Sequence, residues 1–192
     1  NVIDAVDNQV YIEGVVIELQ GTYQQTNVLG VIQLIELLRE AGYTISDEDV
    51  RIGLANTVGL TGIKGRWQTL RHHPLVIADT GHNQAGIEAI VQQLSTLSYN
   101  RLYIILGMVS DKDVALHIGQ LPEEAEYIFT QAHIPRALPK EQLQQIAREV
   151  GRDGMLAENV NEALAMAIDQ ASAEDLIFVG GSTFVVAELN DL

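Results

Sequence analysis

The chain has 192 residues, 47% of them apolar and 19% charged, a globular composition at a length that suits one domain or one domain plus part of another. Twenty-six acidic residues against 11 lysines and arginines give a formal net charge of −15, which argues against a nucleic-acid backbone or an anionic membrane surface as partner. The absence of cysteine excludes disulfides, thiolate metal sites and a cysteine nucleophile; with no signal-like N-terminus and no apolar run of membrane-spanning length, the expected location is cytoplasmic.

In chain order, residues 1–20 alternate loosely and predict strands around Tyr11-Ile12 and Val15 to Leu19, with turns near Asp7-Asn8 and Gly14. Val28, Val31, Ile32, Ile35 and Leu38 then recur at helical spacing, and Gly42 stands where a helix C-cap glycine belongs. Ser46 followed by Asp47, Glu48 and Asp49 opens a second, shorter helix as N-cap and acidic first turn. Thr57 to Gly65 carries three glycines and reads as a flexible connection at a domain boundary. Beyond it the pattern alternates. Strands are predicted at Leu75 to Ala78, Leu102 to Leu106, Tyr127 to Phe129 and Leu176 to Val179. Amphipathic helices are predicted around Ile87 to Leu94, Val114 to Leu121, Leu143 to Val150, Val160 to Ile168 and Phe184 to Leu189. Strands without polar alternation, separated by such helices, predict an α/β, Rossmann-like, mostly parallel sheet covered on both faces. Residues 1–60 hold one long apolar helix and a few strands, less than a complete domain.

In an open α/β sheet ligands bind beyond the carboxyl ends of the strands, so the turns there are the candidate site. Asp79-Thr80-Gly81-His82-Asn83 follows the first strand. Its Asp offers two acceptor oxygens suited to paired sugar hydroxyls, and His82 and Asn83 stand at a helix N-terminus that favours an anion. Equally, Asn83 serves as a helix cap and Asp79 as the closure of the turn. Gly107 to Asp113 and Gly180-Gly181-Ser182-Thr183 follow two further strands; in both, capping or tight-turn roles are the simpler reading. Arg66 is a guanidinium fork of the kind that binds phosphate, or a surface arginine. Gln24 and Asn27, ahead of the long helix, carry amides that match an adenine edge; the simpler alternative is that Thr26 or Asn27 supplies its N-cap. No G-x-x-x-x-G-K-[ST] loop, no G-x-G-x-x-G after a strand and no G-x-S-x-G elbow occurs. His72-His73 lack a second ligand pair at metal spacing, and His117 and His133 have no visible partner.

Taken in order, Gly21-Thr22-Tyr23-Gln24-Gln25-Thr26-Asn27, Gly65-Arg66, Val76-Ile77-Ala78-Asp79-Thr80-Gly81-His82-Asn83, Gly107 to Asp113 and Gly180-Gly181-Ser182 resemble the folylpolyglutamate synthase/dihydrofolate synthase branch of the Mur ligase superfamily. The family's D-G-A-H-N-P keeps its Asp, His and Asn, with Gln84 in place of the proline. The resemblance implies that residues 1–62 are a remnant of the central ATP-binding domain and 63–192 the C-terminal glutamate-ligase domain. The P-loop ATPase part and the magnesium-binding positions would then lie upstream. It implies ATP-driven addition of L-glutamate to folates, and to dihydropteroate, through an acyl phosphate, with no activity expected from this chain alone. ATP would lie between the two domains, with Mg2+ held mainly by upstream residues. Arg66 would contact the phosphates, Asp79 and His82 the ribose–phosphate region, and Gln24 and Asn27 the adenine. Asp111, Lys112, Asp113 and Ser182 would lie toward the glutamate side. Two other readings stand beside this one: another Mur-type amino-acid ligase, and a non-catalytic nucleotide-binding α/β module.

Overall fold

A computed structural model describes residues 2–3, 10–110, 113–190 and 192. The chain divides into two compact units, Asn1–Lys64 and Gly65–Leu192; the boundary expected from sequence lay two residues earlier. No helix among the described residues is long and apolar enough to cross a membrane.

The first unit pairs β1 (Val2–Ile3) antiparallel with β2 (Val10–Ile12) and continues with three helices, α1 (Gln24–Glu40), α2 (Asp47–Ala55) and α3 (Thr57–Thr61). Its small core is Ile12, Val28, Ile32 and Val50. The Ser46 reading holds in full. Its hydroxyl accepts from the Asp49 amide at 3.1 Å and the Asp49 carboxylate accepts from the Ser46 amide at 2.8 Å, a reciprocal capping box. The Ser46 hydroxyl and amide hold the Asp49 carboxyl below its ordinary range. Gly42 ends α1 at φ +96°, as a C-cap glycine should.

Two expectations for this unit need correction, and a third lies outside the described residues. Residues 15–19 form no strand: among the described residues no strand lies alongside to complete a ladder, and Glu18 instead bonds to the α2–α3 segment, its amide donating to the Leu54 carbonyl at 3.0 Å. Thr57 to Gly65 is not wholly a flexible connection: α3 occupies Thr57–Thr61 and stops at Gly62, φ +67°. The third is the turn expected near Asp7-Asn8, which lies outside the described residues and is neither met nor corrected.

The second unit is a six-stranded sheet in the order β3-β4-β8-β5-β6-β7, made of β3 (Gln68–His72), β4 (Leu75–Ala78), β5 (Leu102–Leu106), β6 (Glu126–Phe129), β7 (Gly154–Leu156) and β8 (Leu176–Gly180). All pairs are parallel except β3 with β4. From β4 through β7 the chain steps one way along the sheet through α4 (Gln84–Leu94), α5 (Val114–Gln120) and α6 (Lys140–Glu149). Right-handed crossovers place those three helices on one face, where Ile87, Ile90, Leu94, Val114, Ile118 and Leu143 pack on Ile77, Ile104 and Phe178. The return through α7 (Val160–Gln170) to β8 reverses direction. Val160, Ala163 and Ala167, with Val185 and Val186 of α8 (Thr183–Ala187), therefore pack on Val76, Ile105 and Ile177 of the other face. Every residue of β5 and β8 is buried, which is why both read as unbroken apolar runs.

At the amino edge of the sheet, Asp175 ties β8 to β5. Its carboxylate accepts from the Ser172 amide at 2.7 Å, the Arg101 amide at 3.0 Å and the Arg101 guanidinium at 3.2 Å. Burial pushes this carboxyl up, but the Ser172 and Arg101 donors outweigh it and hold the group below its ordinary range. A depressed carboxyl stabilises the fold above its unfolded pKa, and that contribution is lost as pH falls through the folded value. Asp175→Asn should therefore cost about 1.5–3 kcal/mol at neutral pH. Urea unfolding of both forms should show the gap closing below about pH 4; a gap independent of pH would remove the charge from this role.

Candidate active site

The reversal of chain direction at β8 makes a topological switch point. Loops leave the carboxyl ends of β4 and β5 toward one face and the loop from β8 toward the other, which opens a crevice at that edge. The turns after β4, β5 and β8 meet there. The Asp79 amide donates to the Val179 carbonyl at 3.0 Å, and the Gly107 amide to the Gly180 carbonyl at 3.3 Å.

Asp79 is 2% exposed, and its two oxygens point in different directions along the backbone. Oδ1 accepts from the Gly81 amide at 2.7 Å and closes its own turn; Oδ2 accepts from the Trp67 amide at 2.7 Å, twelve residues upstream. The Thr80 amide donates to the Gly65 carbonyl at 2.9 Å, and the Gly65 amide to the Gln68 side-chain carbonyl at 2.8 Å. Arg66 therefore sits between two residues whose backbones are tied down on both sides. The loop is tight: Gly65 has φ +68° and Trp67 φ +50°. A Cβ on Gly65 would stand 2.7 Å from Thr80 Cγ2, so only glycine fits. The left-handed conformation of Trp67 costs about 1–2 kcal/mol. It is offset by the Asp79 bond and by the indole, 4% exposed, whose ring centroid lies 6.2 Å from that of Phe178. The Arg66 guanidinium is partly exposed and makes no hydrogen bond or ion pair with any described residue.

His82 is exposed, and its Nδ1 donates to the Thr80 carbonyl at 3.0 Å, which orients the ring. With the proton on Nδ1, the neutral ring presents Nε2 as an acceptor. Asn83 caps α4 by accepting from the Gly86 amide at 2.9 Å. Ser182, 3% exposed, caps the short α8 by accepting from the Phe184 amide at 3.2 Å. Gly181, φ +88°, is required by protein packing: a Cβ there would lie 2.6 Å from Leu106 Cδ1 and 2.9 Å from the Gly107 carbonyl oxygen. Asp113 occupies the N-cap position of α5 without a side-chain cap bond and is exposed. Asp111 and Lys112 lie outside the described residues.

Gln24 and Asn27 belong to the first unit. They do not precede the long helix as expected but form its first turn, where Asn27 Nδ2 donates to Gln24 Oε1 at 3.0 Å. Tyr23 stands at the N-cap position with helical dihedrals, φ −61° and ψ −18°, and no side chain caps the end. The capping role considered for Thr26 or Asn27 falls away with it.

Sequence reasoning missed three features of this edge. Trp67 and Gln68 follow Arg66 and fasten its loop, and nothing in an isolated Trp-Gln pair signals a left-handed turn; Gly65 was the one local cue. The loop 130–139 after β6 lies against the loop after β5, with the Leu138 amide donating to the Met108 carbonyl at 2.9 Å and the Ser110 amide to the Arg136 carbonyl at 3.1 Å. Its His133 does have a partner: backbone amide and Nδ1 both meet the Glu188 carboxylate, at 2.6 and 2.9 Å. His117, by contrast, is buried with Nδ1 unpartnered. Among the described residues no group of three or more His, Cys, Asp or Glu is placed to hold a metal ion.

Comparison with known proteins places this geometry. A probable bifunctional folylpolyglutamate synthase/dihydropteroate synthase of Haloferax volcanii is 30% identical over 176 residues, 90% of this chain and 20% of that protein. The structure of Escherichia coli FolC in complex with DHPP and ADP matches with TM-score 0.67 and 29% identity over 80% of this chain and 36% of that one. A bifunctional folylpolyglutamate synthase/dihydrofolate synthase with Mn, AMPPNP and L-glutamate bound matches with TM-score 0.71 and 26% identity over 91% of this chain and 40% of that one. The chain thus spans about a fifth to two-fifths of the length of these relatives. Residues 65–183, from the first residue of the second unit into α8, match the model of the Mur ligase, glutamate ligase domain, and the chain belongs to that family.

Proposed function

We propose that this chain is the nucleotide-gripping part of an ATP-dependent ligase that joins L-glutamate to folates, and to dihydropteroate. The observation that carries the reading is Arg66: a guanidinium without a partner among the described residues, held at the switch-point edge between Gly65 and Trp67, whose backbones are tied to the Asp79-Thr80 turn, in a domain whose relatives include proteins solved with ADP and AMPPNP. L-Glutamate is bound in one of those relatives and DHPP in another. The shares of those proteins that this chain spans support a further, P-loop-bearing ATPase part of the same protein outside it. The exposed Val31, Leu34 and Leu37 of α1 agree with a first unit that packs against such a part.

The chemistry that fits is carboxylate activation. A free carboxylate would have to expel oxide, so one of its oxygens first takes the γ-phosphoryl group of ATP, giving an acyl phosphate and ADP. The glutamate amine attacks the acyl carbon, the tetrahedral intermediate collapses with cleavage of the carbon–oxygen bond to phosphate, and the nitrogen loses a proton to leave the amide. Such a path needs positioning and charge stabilisation more than a protein nucleophile. Arg66 would bind the phosphates through its planar fork. His82 Nε2, aimed by the Thr80 carbonyl, would accept from a ribose hydroxyl. An ionised carboxylate has about four acceptor positions, so two amide bonds do not by themselves bar Asp79 from a sugar hydroxyl as well. Gln24 and Asn27 would hold the adenine edge, and Ser182 with Asp111, Lys112 and Asp113 would face the glutamate. Among the described residues no group of three or more His, Cys, Asp or Glu is gathered for a metal, and in this reading the Mg2+ that accompanies the nucleotide would be held mainly by residues outside this chain.

In the complete ligase, Arg66→Ala should lower kcat/KM for ATP by one or more powers of ten, since a charged contact is worth about 1.5–3 kcal/mol. Unchanged kinetics would return Arg66 to the protein surface. Radiolabelled glutamate incorporation, compared for tetrahydrofolate and dihydropteroate acceptors, should proceed with the complete protein and be absent with this chain alone. Turnover by the isolated chain would overturn the division of labour, and incorporation of a different amino acid would move the protein to another Mur-type ligase.

A further inference from the structure

We propose that Gln68 is a positioning residue for Arg66, setting the guanidinium in place before the nucleotide phosphates arrive. The inference rests on the phosphate-binding reading of Arg66 and deepens it. Gln68 opens β3 and pairs in register with Ala78, yet its side chain turns back along the chain rather than outward: its carbonyl accepts from the Gly65 amide at 2.8 Å. That bond closes the loop 65–68 on itself. Two further bonds fasten the loop to the next turn, the Thr80 amide to the Gly65 carbonyl at 2.9 Å and the Trp67 amide to Asp79 Oδ2 at 2.7 Å. Both residues flanking Arg66 are left-handed, a conformation that an unrestrained Trp67 would leave.

The consequence is specific to Arg66. Three anchored backbone groups surround one guanidinium that has no partner among the described residues; the same order seats the Trp67 indole in the core, and Arg66 is the side chain of the loop left to meet a ligand. An arginine whose backbone is already fixed loses only side-chain freedom on meeting a phosphate, so more of the contact appears as binding. Gln68 itself is partly exposed, so water can replace its bond to the Gly65 amide without unfolding the sheet. Its loss should therefore be felt in nucleotide binding rather than in stability. Asp79 does the same work on the other side of Arg66. It is a poorer probe, being buried and adjacent to the proposed ribose position.

The test is a double-mutant cycle in the complete ligase with Gln68→Met, which keeps the length of the side chain and removes its acceptor, and Arg66→Ala. Gln68→Met should raise the KM for ATP about three- to tenfold while leaving the KM for glutamate unchanged. A merely structural defect would lower kcat through loss of folded enzyme and leave both KM values alone. In the Arg66→Ala background, Gln68→Met should cause no further change. If the two substitutions multiply independently, or if Gln68→Met leaves the KM for ATP at the wild-type value, the positioning role is overturned while the reading of Arg66 stands. If Arg66→Ala itself behaves as wild type, the phosphate-binding reading fails and this inference fails with it. Gln68→Lys, whose ammonium cannot accept a bond from an amide, should reproduce the methionine result, and wild-type KM for ATP in that variant likewise overturns the proposal.

Discussion

The carboxylate of Asp79 is the constraint on which the edge of this sheet depends. One oxygen holds the turn that follows β4 and the other holds a loop that precedes β3, so a single buried group sets the distance between two segments that the antiparallel hairpin alone would leave free at their open ends. Charge-assisted bonds from backbone amides to a carboxylate are short and strong, and both of these are 2.7 Å. The left-handed Trp67 becomes tolerable because its amide is consumed by that carboxylate and its indole by the core. Arg66 and His82 inherit their positions from these bonds: one is flanked by the clamped residues, the other hangs from the carbonyl of Thr80, whose own amide is part of the clamp.

The sheet topology explains why the clamp is needed where it is. At β8 the direction of chain travel reverses, the loops diverge to opposite faces, and the crevice that results is lined by backbone ends rather than by a covering helix. Such an edge binds a ligand only if its turns are held rigid from behind. The crossing hydrogen bonds from Asp79 to Val179 and from Gly107 to Gly180, and the close approach of Gly181 to Leu106, supply that rigidity. A chain of net charge −15 is a poor general binder of polyanions, yet net charge acts at long range and is screened within about 8–10 Å at physiological salt. Arg66, whose guanidinium has no carboxylate partner among the described residues, would act at shorter range in the proposed reading.

The parts of this architecture legible in the sequence were those in which one side chain, or one repeated spacing, determines the outcome. The unbroken apolar runs of β4, β5, β6 and β8 announce strands buried on both faces, and the Ser46 to Asp49 box announces a helix start. β3 was illegible because Gln68, Thr69, Arg71 and His72 carry the polar side chains of an edge strand, whose free side tolerates or even favours charge. β7 is three residues long and begins with a glycine that lies against Tyr127, too short for any period to register. Residues 15–19 show the opposite failure: an apolar run with strand composition that found no strand to pair with. In the candidate site, Asp79 and Arg66 could each be singled out by type and place. Their relation could not, because it runs through the amide of Trp67 and no side-chain pattern reports a backbone donor.

That relation also dissolves the choice posed by the motif residues. Asn83 caps its helix and Asp79 closes its turn, as the simplest reading of each would have it. Neither fact counts against a part in nucleotide binding, because a site on loops can be no more exact than the bonds that fix those loops. A motif of the Asp-x-x-His-Asn kind is therefore a compact set of braces as much as a set of ligand contacts, and loss of function on altering one of its members does not by itself identify a contact. The distinction falls to residues such as Gln68, which brace the same loop from outside the motif and in the proposed geometry touch no nucleotide. An effect there that vanishes without Arg66 measures the bracing alone, and what the motif residues add beyond it is the contact.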